Sequence, residues 1–252
     1  MKETQIIMGM PITIEISDSG KEFLVKKAIQ SAFDYFRYVD ETFSTYKTSS
    51  EITKINNGCI VPESWSDDMK TIFTLAEETK QATNGYFNIM TPEGSIDPSG
   101  IVKGWSIHKA AELLVHAGID NFCIDAGGDI EVRGEKSPGV PWMIGIRNPF
   151  DTEKIVKTVS LRNKGIATSG TYIRGAHIYN PYTKERPTNE CASVTVIAFD
   201  VYEADRFATA AFAMGKEGIM FLEQKEGLEG YMISPDGIAT MTSGFLHYAI
   251  SA

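Results

Sequence analysis

The chain has 252 residues, of which 42% are hydrophobic and 23% charged, and its formal net charge is −9. That composition excludes intrinsic disorder, collagen and coiled coil, and the length suffices to bury a sizeable core. The negative balance argues against a nucleic-acid binder, so a phosphate-bearing ligand would need local help from a metal ion or from backbone N–H groups.

In chain order, Gln5 to Ile16 alternates, is rich in Ile and Thr, and reads as one strand. The first residues, MKETQIIMGMPITIEI, lack the apolar stretch and cleavage motif of a secretory leader. No apolar run nears the roughly 20 residues of a membrane span. A cytoplasmic location is therefore expected, or export if a leader has been removed. Phe23, Leu24, Ala28, Ile29, Ala32, Phe33, Phe36 and Val39 recur at helical spacing and predict a long amphipathic helix. Thr42 to Asn57 reads as a polar loop ending in a short helix. Ser66-Asp67-Asp68 caps a helix to about Ala82, which Asn84-Gly85 ends.

Pro92, Gly94, Pro98 and Gly100 mark residues 85–100 as loop, and a helix follows from about Ile101 to His116, with Ser99 as a sensible N-cap. Strands are predicted at Phe122 to Ala126, Ile130 to Arg133, Trp142 to Arg147, Ile155 to Leu161, Gly165 to Thr168, Ser193 to Phe199 and Glu229 to Ile233. Helices are predicted from about Tyr202 to Met214 and from about Glu217 to Gln224. Strands standing singly between helices, and also in runs with short turns, favour an α+β fold. It would be a single compact unit over residues 1–252 with mixed, largely antiparallel sheets packed against helices.

Three stretches can carry chemistry. Asp205 and Thr209 lie four apart on a predicted helix, so their oxygens share a face and suit a hard cation such as Mg²⁺. The plain alternative is an Asp favoured by the helix dipole and a Thr bonded back to a carbonyl. Ile96-Asp97-Pro98-Ser99-Gly100-Ile101-Val102-Lys103 opens a helix with a Lys in its first turn, a place where N–H groups receive phosphate. It also reads as an ordinary capped helix with a solvated Lys, and no P-loop pattern is present. His177, between Ala176 and Ile178, lies in a strand-turn region where a neutral imidazole can take a hydroxyl proton, or simply bond to backbone. Ser169 lacks the GxSxG setting of a hydrolase nucleophile.

Two other patterns carry less. His108, Glu112 and His116 at i, i+4 and i+8 could bind zinc but read as the solvated face of their helix. Gly127-Gly128-Asp129 lies between two strands and so is no dinucleotide fingerprint. Its glycines let backbone pass close to another segment. Cys59, Cys123 and Cys191 form no CxxC and support neither a zinc knuckle nor a disulfide framework.

The order of these pieces is more specific than any one of them. Met8-Gly9-Met10, FSTYKTSSEITKIN, NGYFN, IDPSGIVKGW, AGGDI, ATSG, HIYNP and ADRFATAAF, taken together, resemble the ApbE family of FAD:protein FMN transferases from about residue 6 to about residue 235. The resemblance implies a Mg²⁺-dependent (or Mn²⁺-dependent) enzyme that splits FAD. The FMN half would be joined through its phosphate to a Thr or Ser hydroxyl of an acceptor flavoprotein, and AMP would leave. It places the metal at Asp205, Thr209 and a backbone oxygen near Gly100. It places FAD contacts at Met8, Tyr46, Tyr86, Phe87, Asn88, Asp97, Lys103, His177 and Ile178, with Tyr46 stacking on the flavin and His177 as the base.

Three positions depart from the family pattern. Asn88 replaces a common Asp, Lys184 a frequent Gly, and His108 a common Asp. A FAD pyrophosphatase, with water as the acceptor, and a flavin carrier without turnover remain the alternatives.

Overall fold

The computed structural model describes residues 1–18, 22–170, 178–183 and 190–250. The predicted opening strand is instead a hairpin, β1 (Lys2–Ile7) and β2 (Met10–Ile16), turning at Met8 and Gly9 with φ of 56° and 72°. The turn hides in the alternation. Ile6, Met8, Met10 and Ile12 keep an even period of apolar residues through it, yet Ile7 is the side chain buried before the turn and Ile6 is 73% exposed.

Helix α1 (Glu22–Phe43) buries Ala28, Ile29, Ala32, Phe33, Phe36 and Val39 of the expected face, whereas Phe23 and Leu24 in its first turn, expected on the same face, are exposed. Two short polar caps start the next helices. Ser50 accepts from Thr53 N–H to open α2 (Glu51–Asn56), and Ser66 accepts from Met69 N–H to open α3 (Asp67–Ala82). Helix α4 (Ser99–His116) starts two residues before the predicted point. Its N-cap is Pro98, not Ser99, whose hydroxyl instead bonds Asp97 Oδ1.

The strands β3 (Phe122–Ala126), β4 (Asp129–Arg133), β5 (Trp142–Asn148), β6 (Asp151–Leu161), β7 (Lys164–Gly170) and β8 (Ser193–Ala198) follow. Then come α5 (Val201–Ala213), capped by Asp200, the short α6 (Gly218–Glu223), β9 (Glu229–Ile233) and β10 (Ala239–Met241).

Eight strands form one sheet in the order β1-β2-β3-β4-β7-β8-β9-β10, and every pairing is antiparallel. This is the mixed helix and antiparallel-sheet architecture expected. Period-two alternation sorts the side chains into layers. Ile12, Ile14, Ile16 and Ile124 face α1 and α4, while Val194, Val196 and Ala198 face α5. On the opposite face Ile130, Val132, Ile166, Ile197 and Tyr231 meet the separate β5–β6 hairpin through Trp142, Ile144 and Leu161. A further apolar cluster joins α1, α3 and α4 around Trp105 and Phe43. Among the described residues no helix is long and apolar enough to cross a membrane.

Candidate functional site

The site is built where α4 crosses α5. A Cβ on Gly104 would lie 2.7 Å from Asp205 Cβ and 2.8 Å from the Val201 carbonyl oxygen, so only glycine allows the two helices this close. The Gly104 N–H consequently donates to Asp205 Oδ2 at 2.8 Å. Asp205 is 4% exposed, and its Oδ1 lies 3.9 Å from Lys103 Nζ. One turn along α5, Thr209 faces Gly100, and Ser169 Oγ of β7 stands 3.4 Å from Thr209 Oγ1. Lys103 also pairs with Asp129 at the start of β4, a residue 1% exposed whose Oδ1 accepts from Thr168 N–H at 3.1 Å.

Of these groups Gly100, Lys103, Thr168, Ser169, Asp205 and Thr209 line a cavity of about 140 Å³ together with Met8, Gly9, Met10, Gly127 and Ile178. Ser99 and Gly100, the first turn of α4, are shared with a second cavity bounded by Tyr86, Phe87, Asn88 and Asp97. Met8, Ser99 and Lys103 are shared with a third, bounded by Asp40, Phe43 and Tyr46. The three therefore make one groove whose middle is the positive end of an 18-residue helix, reinforced by an ammonium group. Such a groove can hold a long ligand with an anionic centre and apolar ends.

The structure thus brings Met8, Tyr46, Tyr86, Phe87, Asn88, Asp97, Gly100, Lys103, Ile178, Asp205 and Thr209 to one groove. His177 and Lys184 lie outside the described residues. The ring of Tyr46 is 96% exposed at the groove's edge, whereas Phe87 is buried. Asp97 is held by its own loop. Its N–H donates to Ile89 O at 2.7 Å, and its Oδ1 accepts from Ser99 N–H at 3.0 Å.

Sequence reasoning missed two groups. Tyr179 and Tyr182 donate their phenols to Met90 O and Asn84 O, clasping the 178–183 segment onto the 84–91 loop. Their only signal was the HIYNPY run. Asp129 is the other: it follows Gly127-Gly128 between two strands, and nothing local in the sequence ties it to Lys103.

The zinc-like spacing is corrected too. His108 is not on a solvated face: its Nδ1 lies 3.1 Å from both Glu131 carboxylate oxygens on β4, because α4 lies across the sheet there. Burial pushes the imidazole down, but the Glu131 bond and charge, with Asp200 and Glu112 behind them, win and hold it above its ordinary value. His116 donates to Glu112 O at 2.7 Å. Among the described residues no three His, Cys, Asp or Glu side chains gather as a metal cluster. Gly127 and Gly128 form the two-residue β3–β4 turn, and a Cβ on Gly127 would meet Met10 Sδ at 2.9 Å, the close passage expected of them. Burial pushes the Cys123 and Cys191 thiols up to about 12, which removes them as thiolate nucleophiles.

The remaining donor set fits a hard divalent cation. Asp205 offers a buried carboxylate and Thr209 a hydroxyl one turn away, and Gly100, having no side chain, leaves its backbone open to them. Two hard oxygens and a carbonyl suit Mg²⁺ or Mn²⁺ rather than zinc.

Comparison with known proteins identifies the family. The ApbE family model matches residues 8–93 and 90–232. A FAD:protein FMN transferase of Vibrio cholerae is 33% identical over 170 residues, covering 64% of this chain and 49% of the relative. The Escherichia coli K12 protein of that name is 31% identical over 166 residues, covering 62% and 47%. That of Haemophilus influenzae is 28% identical over 260 residues, covering 91% and 75%. The chain thus spans about half the length of the first two curated relatives it matches. Among solved structures, the flavin transferase ApbE from Vibrio cholerae superposes with a TM-score of 0.83 at 24% identity, covering 98% of both chains. The ApbE protein from Thermotoga maritima gives 0.85 at 19%, covering 100% and 99%.

Proposed function

Because the chain belongs to the ApbE family, we propose that it transfers the FMN half of FAD to a Thr or Ser hydroxyl of an acceptor flavoprotein, releasing AMP. One observation carries the reading: Gly100 and Lys103 on one helix, and Asp205 and Thr209 on another far along the chain, line a single cavity at the N-terminus of α4. A diphosphate is the ligand chemistry such a place favours, and a chain of net charge −9 needs that local compensation.

In this reaction the acceptor oxygen bonds to the phosphorus of the FMN half. The bond from that phosphorus to the bridging oxygen breaks, and AMP leaves with the electron pair. Lys103 and the α4 N-terminus hold the phosphates in line. A divalent cation, Mg²⁺ or Mn²⁺, held by Asp205, Thr209 and a backbone oxygen near Gly100, supplies Lewis-acid stabilisation of the phosphoryl charge when bound. The hydroxyl proton goes to a base, which the family resemblance puts at His177. Phe87 and Tyr86 give the groove an apolar end, and Tyr46 gives its other end a free ring face for the flavin.

The test is incubation with FAD, Mg²⁺ and candidate flavoproteins, followed by measurement of AMP and of protein mass. AMP together with an acceptor heavier by one FMN supports transfer. AMP with free FMN makes the protein a pyrophosphatase, and intact bound FAD makes it a carrier.

A further inference from the structure

We infer that Asp129 is a positioning residue of the site: it holds the Lys103 ammonium away from Asp205 and aimed at the anion the cavity receives. The inference rests on the reading of Asp205 as a cation ligand, and it assigns a role to a residue outside that set.

Asp129 is fixed more firmly than a salt-bridge partner requires. It is the first residue of β4, follows the Gly127-Gly128 turn, and is 1% exposed. One carboxylate oxygen accepts the Thr168 N–H of β7 at 3.1 Å, which locks the group to the sheet. The other meets Lys103 Nζ. Lys103 Nζ also lies 3.9 Å from Asp205 Oδ1, so the ammonium sits between two buried carboxylates and in direct contact with one.

A lysine stem is long and rotatable, and a buried carboxylate draws any cation within reach. Without the charge on Asp129, Asp205 is a buried carboxylate within reach of Lys103, 3.9 Å away. Collapse onto it would place an ammonium where a divalent cation has to bind. Asp129 thus separates two positive charges that work side by side. Its tether to Thr168, a residue that lines the same cavity, ties their spacing to the sheet.

The decisive variant is Asp129→Asn, which keeps the shape and an acceptor for the Thr168 N–H but removes the charge. If that protein does not fold, Asp129→Ser replaces it. The first measurement is the ¹H–¹⁵N spectrum of lysine ammonium groups in the ligand-free protein, with the Lys103 signal identified by its loss in Lys103→Met. A shifted or lost Lys103 signal in Asp129→Asn is expected, and an unchanged signal overturns the inference.

The second is Mn²⁺ binding followed by electron paramagnetic resonance. Asp129→Asn is expected to weaken binding about tenfold, and Asp129→Asn/Lys103→Met to restore the affinity of Lys103→Met alone. Additive losses overturn the inference. A wild-type protein that binds no Mn²⁺ refutes the cation reading of Asp205 instead, and the ammonium signal still decides the role of Asp129.

Discussion

Asp205 shows why a buried carboxylate is informative. An ionised group at 4% exposure persists only with partners, and Asp205 has the Gly104 N–H on one oxygen and the Lys103 ammonium near the other. Asp205→Ala is expected to lower metal-dependent FAD cleavage by about a hundredfold or more. The loss of folding stability would be about 1–3 kcal/mol, the cost of the unpaired Gly104 N–H. AMP release and thermal melting measured on the same sample check both parts, and near-full activity would remove Asp205 from the site. The pairing of Asp205 with Thr209 was legible in the sequence because four residues make one helical turn. The pairing of Lys103 with Asp129 was not, because the two are 26 residues apart in the chain, one on α4 and the other on the sheet.

The crossing of α4 over α5 converts that local spacing into a site. Gly104→Ala gains about 1 kcal/mol of helix propensity. A methyl at 2.8 Å from the Val201 carbonyl oxygen costs more, since overpacking is worth about 1–3 kcal/mol and here meets backbone. The net expectation is a lower melting temperature and weaker FAD binding, as Asp205 moves with α5. A stabilised variant with unchanged FAD affinity would contradict the tight crossing.

His108 fastens the same helices from the far side. It pairs with Glu131 of β4, whose carboxylate also accepts the Val201 N–H at 3.3 Å, and Asp200 and Glu112 face it as well. Because the folded imidazole titrates above its ordinary 6.5, the stability it contributes is fully present below that value and is lost as pH rises through the folded pKa. The melting difference between wild type and His108→Gln is therefore expected to be largest at mildly acidic pH and to vanish on the alkaline side. A difference independent of pH would show that His108 acts by packing alone. Caps were the readable part of these helices, as at Ser66. The α4 start was misplaced because Ser99 spends its hydroxyl on Asp97.

Across the molecule, the sheet separates two apolar layers with different duties. One face carries α1, α4 and α5 and, through them, the groove. The other carries the β5–β6 hairpin, where Trp142 is buried and donates its indole N–H to Arg133 O at 3.0 Å. Trp142→Ala is expected to cost about 3–5 kcal/mol of stability. FAD affinity, measured well below the unfolding transition, is expected to stay unchanged. A parallel loss of affinity would show that the hairpin layer shapes the groove. Alternation told which residues of each strand share a face, but it also concealed the β1–β2 turn, where apolar residues at even positions continue through Met8.

By itself the sequence determined the helices with clear apolar stripes, most strand positions, the α+β class and the ordered run of motifs, because all of these depend on neighbours within a few residues. Only the tertiary structure decided the strand order, the glycine-permitted contact of α4 with α5, the clasp of Tyr179 and Tyr182, and the seat of Lys103 between Asp129 and Asp205. Those are contacts between distant segments, set by which apolar faces bury one another and how closely their backbones then pass. Local periodicity carries no record of that choice.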